Sequence, residues 1–62
     1  MAYINPTDYG LVKLALKLRY YQHTIAAYLG INQGRISEFK NSFLFQTTVP
    51  AMGLPAGFPP HP

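Results

Sequence analysis

Cysteine is absent from this chain, and acidic residues are nearly so. Without thiols, neither a disulfide framework nor a thiolate metal site can add stability, and nothing points to an oxidising compartment, so a cytoplasmic setting is expected. Asp8 and Glu38 are the only carboxylate side chains. Asp8 is accounted for as a first-turn helix residue, which leaves Glu38 alone and gives paired acid–base chemistry no materials, so no enzyme is expected. Histidine is scarce too. His23 and His61 stand far apart with no cysteine or adjoining carboxylate, and neither a metal nor a cofactor is expected. Long apolar runs are missing as well, each being cut by Lys, Gln, Gly or Pro well short of membrane-spanning length. The opening MAYINPTDYG lacks a basic region leading into an apolar stretch, so neither a signal peptide nor a membrane span is expected.

What is present is a short, basic chain. Its 62 residues allow one domain with a marginal core, which a partner subunit would help to stabilise. Five Lys and Arg against two acids give a formal charge of +3, which favours an anionic partner such as nucleic acid.

Asn5, Pro6 and Asp8 form a helix start: a side-chain cap, a proline where no backbone donor is needed, and a carboxylate near the positive end of the helix dipole. From there Leu11, Leu14, Ala15 and Leu18 recur at helical spacing as a core stripe, with Lys13 and Lys17 on the opposite side. Val12 and Leu16 lie off that stripe and are expected, with Tyr20, at a subunit contact. RYYQ contains no glycine, proline or good cap, so the first boundary is placed near residues 19–21. In QHTIAAYLG, Ile25, Ala26 and Leu29 share a face, and Gly30 ends the second helix in a left-handed conformation. Ile31 anchors the turn, Asn32 caps a third helix, and Ile36 and Phe39 mark its inner face, the helix running to about residue 41 or 42. Beyond it, FLFQTTV favours a short extended segment laying Phe43 and Phe45 on the core. PAMGLPAGFPPHP excludes helix and central strand. The chain thus divides into a helical domain, residues 1–45, and an extended or flexible Pro/Gly-rich tail, residues 46–62.

If Ile36 and Phe39 face inward, Gln33, Gly34, Ser37, Glu38 and Asn41 share an outward face with no large apolar residue. Such side chains suit base edges: Gln or Asn with adenine, Glu accepting from cytosine, Ser with several bases, and Gly34 allowing close approach. Arg35 and Lys40 flank the face as phosphate contacts, with Lys13, Lys17 and Arg19 as weaker ones. A solvated helix face, with Arg35 and Glu38 as an ordinary surface pair, is the plain alternative.

Residues 22–41, QHTIAAYLGINQGRISEFKN, resemble bacterial helix-turn-helix DNA-binding domains. Ile25 and Ala26 followed by Leu29 and Gly30, the apolar Ile31, and Ile36 with Phe39 all occupy positions where that family has residues of the same type. IAAYLGINQGRISE is similar to short regulators of this kind and to the DNA-binding modules of recombinase-like proteins. RYYQ and the proline-bearing end depart from the pattern. The resemblance implies an all-α, three-helix fold and a transcriptional regulator, repressor or activator, that binds double-stranded DNA, with Asn32, Gln33, Gly34, Arg35, Ser37, Glu38, Lys40 and Asn41 at the DNA; a homodimer is expected because one such unit makes few contacts. The rival expectation is a protein-interaction adaptor, antitoxin-like, whose tail lies along a partner protein.

The five tyrosines suggest two further readings, base stacking on single strands or packing on helices, and their helical spacing favours packing.

Overall fold

The computed structural model describes residues 4–60, and among these it is all-helical, with four α-helices and no strand. Asn5 opens the fold as expected. Its side-chain oxygen accepts from the Thr7 amide at 3.0 Å and from the Thr7 hydroxyl at 2.9 Å, and a 3-10 turn, Pro6–Asp8, leads into α1, Tyr9–Lys17. Then follow α2, Gln22–Leu29, α3, Gln33–Lys40, and a short α4, Phe43–Thr47.

Two helix ends are built alike. At the end of α1 the Tyr20 amide donates to the Ala15 carbonyl and the Arg19 amide to that of Leu16, both at 3.0 Å. At the end of α2 the Ile31 amide donates to Ala26 and the Gly30 amide to Ala27. Each pair of bonds is the double closure that follows a left-handed residue, which satisfies carbonyls a helix end would leave bare. Gly30 takes that conformation freely at φ 71° and ψ 33°. Arg19 takes it at φ 69° without being glycine, which is why RYYQ hides its turn.

The core joins Val12 and Ala15 of α1 to Ile25 and Ala26 of α2 and Ile36 and Phe39 of α3, with Ile4, Tyr20 and Phe58 completing it. The face of α1 agrees with the expected stripe at Leu11 and Ala15 and departs from it elsewhere. Val12 is wholly buried, Leu16 packs against the core, Leu14 is half-buried and Leu18 is 46% exposed. The helix turns its Tyr9, Val12 and Leu16 side toward the core it shares with α2 and α3, Tyr9 stacking on Phe39 at 5.1 Å, while the returning tail meets α1 at Gly10 and Phe58 reaches Tyr20 beyond the helix end.

Two further expectations are corrected. FLFQT is helix, not extended chain, with Phe45 set edge-on to Phe39 at 5.8 Å and the Lys13 ammonium 5.0 Å from its ring centre, while Phe43 is 73% exposed. At its end the Thr48 hydroxyl donates to the Leu44 carbonyl at 2.6 Å and the Thr47 hydroxyl to those of Phe43 and Leu44. The Ser42 hydroxyl, at the start of α4, donates back to Phe39 and closes α3. The tail is extended but anchored. Its Ala51 amide donates to the Gly10 carbonyl at 3.0 Å, and Phe58 enters an aromatic cleft between Tyr20 and Tyr28, with ring centres 5.0 and 4.7 Å away. A Cβ on Gly10 would lie 3.0 Å from the Val49 carbonyl oxygen, so glycine there lets the tail approach α1.

Candidate nucleic-acid interface

Helices α2 and α3 pack directly on each other, joined by residues 30–32. Small Ala26 is buried where the helices meet, Ile31 packs against the core from within the turn, and Ile25 and Ile36 are fully buried beneath it. Asn32 caps α3, its side-chain oxygen accepting from the Gly34 amide at 2.7 Å. A Cβ on Gly34 would lie 3.1 Å from that same oxygen, so this glycine makes room for the cap itself, a local reason that the sequence did not reveal.

The structure brings the eight expected site residues together on and around α3, in unequal states. Asn32, Gln33, Gly34, Glu38, Lys40 and Asn41 are exposed, and Ser37 and Arg35 are half-buried. The Asn41 side-chain amide donates to the Ser37 carbonyl at 3.0 Å, which engages it with the end of its own helix. Arg35 Nη1 donates to both carboxylate oxygens of Glu38, at 3.0 and 3.3 Å. Asn32, Gly34, Arg35 and Glu38 line an open hollow beside the leading end of α3. No large apolar side chain interrupts the outward face, since α3 buries Ile36 and Phe39.

The expected subunit contact is not available as a free surface. Val12 and Tyr20 are buried within the chain's own core, and Leu16 packs against that core, because α1 turns this side toward α2 and α3 and Tyr20, beyond its end, meets Phe58 of the tail. Among the weaker phosphate candidates, Lys17 and Arg19 are exposed, whereas Lys13 is drawn to Phe45 and to the Gln46 carbonyl at 3.4 Å. Exposed Tyr21 stacks on His23 at 5.4 Å at the start of α2, a pairing the sequence reading missed although the two residues stand close together. Tyr3 and His61 lie outside the described residues. Among the described residues no three His, Cys, Asp or Glu side chains gather as a metal site would require, and no helix is long and apolar enough to cross a membrane.

Comparison with protein-family models, curated proteins and solved structures finds no match to this chain.

Proposed function

We propose that this chain is a cytoplasmic, sequence-specific double-stranded DNA-binding protein, a transcriptional regulator whose α3 enters the major groove. The observation that carries the reading is the pairing of α2 and α3 across Gly30, with the polar side of α3 turned outward from a core built on Ile36 and Phe39. A helix is about 10–12 Å across with its side chains, and the major groove is about 12 Å wide. A rigid helix bearing short polar groups therefore fits it, while a bulky apolar one would not. Gln33 at the leading end of α3 is the candidate base reader. Lys40, with Arg35 at the flank, supplies phosphate contacts, and the uncapped start of α2 at Tyr21 adds backbone donors. The positive charge of +3 favours the same partner.

Binding as a homodimer belongs to this reading, because one such unit makes few contacts and two units on a symmetric site combine them at a spacing of about one helical turn. The contact then lies on a surface other than Val12, Leu16 and Tyr20. An adaptor role through the tail is less well supported, since residues 50–60 serve their own core through Phe58 and the Ala51–Gly10 bond. The chemistry of the carboxylates favours binding over catalysis: Asp8 stands in the turn before α1, and Glu38 is paired with Arg35.

Selection from a random duplex library at a stated salt concentration tests the proposal. Enrichment of one symmetric motif is expected. Retention of all duplexes alike, or of none, refutes sequence-specific binding.

A further inference from the structure

Glu38 is the sole carboxylate on α3. Its side chain is 66% exposed, while that of Arg35, to which it is bound, is only 18% exposed. The Arg35 side chain thus lies against the domain, where it and Glu38 line a groove with Ile4, Tyr9 and Phe39, while the Glu38 side chain keeps most of its surface in water. On its other side the pair lines the hollow with Asn32 and Gly34 at the leading end of α3.

A negative charge on the outward face of a cationic motif's recognition helix is costly in a duplex complex, because it approaches phosphates and loses water. Only a base edge that offers amino hydrogens, on cytosine N4 or adenine N6, compensates it. For Arg35 to leave Glu38 and seize a phosphate, the ion pair must break and the carboxylate must stand unpaired beside the DNA. On an arbitrary sequence nothing offsets that loss.

We propose that Glu38, through its ion pair with Arg35, determines the specificity of α3: it restrains Arg35 from phosphates on arbitrary duplexes and accepts from a base amino group on the correct one. The proposal rests on the DNA-binding reading above. It makes Glu38 an element of discrimination against wrong sequences as well as a contact to the right one.

Fluorescence anisotropy of the full chain tests it, using a duplex enriched by selection and a scrambled duplex of equal composition over a salt series. Glu38→Gln, at an exposed position, is expected to keep the fold by circular dichroism. It should tighten binding to the scrambled duplex about three- to tenfold and steepen the log–log salt slope by about 0.9, the value of one further phosphate contact. The enriched duplex should gain less or lose affinity, so the ratio between the two falls. With Arg35→Ala already in place, Glu38→Gln should no longer steepen the slope. Unchanged affinity and slope on the scrambled duplex overturn the proposal, as does steepening that persists without Arg35. If the native chain discriminates between the duplexes but ignores Glu38→Gln, only this inference falls. If the native chain binds neither duplex, the DNA-binding reading falls and takes this inference with it.

Discussion

The ring of Phe58 meets Tyr20 edge-on at 5.0 Å, and the Tyr20 hydroxyl donates to the carbonyl of the next residue, Pro59, at 3.0 Å. Packing and hydrogen bonding therefore fasten the tail at one place, and the two can be separated. Phe58→Ala is expected to cost about 3 kcal/mol, as truncation of a buried aromatic does. Tyr20→Phe keeps the ring and should cost about 1 kcal/mol. Urea denaturation measures both, and equal losses would show that the hydroxyl holds the tail as strongly as the ring does.

Gly10→Ala sets helix preference against tail docking. Alanine favours a helix over glycine by roughly 1 kcal/mol, but its Cβ would press on the Val49 carbonyl oxygen and the Ala51 amide. The expected outcome is an intact α1 with the Ala51–Gly10 bond broken. Amide exchange at Ala51 should quicken while helical circular dichroism holds; slow exchange there would mean that the tail adjusts and keeps the bond.

Arg19 holds a left-handed backbone that costs a residue with a Cβ roughly 1 kcal/mol. Arg19→Gly should recover about half of it or more, the rest being offset by the freer unfolded chain. In a domain of this size the melting temperature should rise by roughly 4 °C. A fall would show that contacts of the arginine side chain outweigh the strain.

The flanking and reading positions of α3 should respond differently to truncation. Arg35→Ala is expected to weaken binding to the preferred duplex and to flatten its salt slope by about 1, with little change on scrambled duplexes where Glu38 holds the arginine back, whereas Gln33→Ala changes which sequences are preferred. Binding assays on several duplexes over a salt series check this. Equal losses everywhere from both substitutions would count against the assigned roles.

The centre of the fold was legible because its signals are local. Gly30 ends a helix by its own backbone freedom, Asn32 caps the next with its own side chain, and Ile36 and Phe39 repeat at the spacing of one buried face. The inner side of α1 was not legible from periodicity alone. Leu14 and Leu18 make as good a stripe as Val12 and Leu16, and what decides between them is the packing of α1 against α2 and α3, which no local signal gives. Phe43 and Phe45 misled for a similar reason, their β preference being outweighed by the tertiary packing of Phe45 on Phe39. The residues expected at the DNA do lie together on and around α3, but their mutual engagement, Asn41 with Ser37 and Gly34 with Asn32, depends on side-chain placement that spacing does not give.

The aromatic that completes the cleft of Tyr20 and Tyr28 stands at residue 58, well beyond the end of α3 at Lys40. The paired helices are therefore closed by a side chain that belongs to neither of them, and a fragment ending after α3 would leave that cleft open to water. Such a fragment should yield to protease sooner than the full chain.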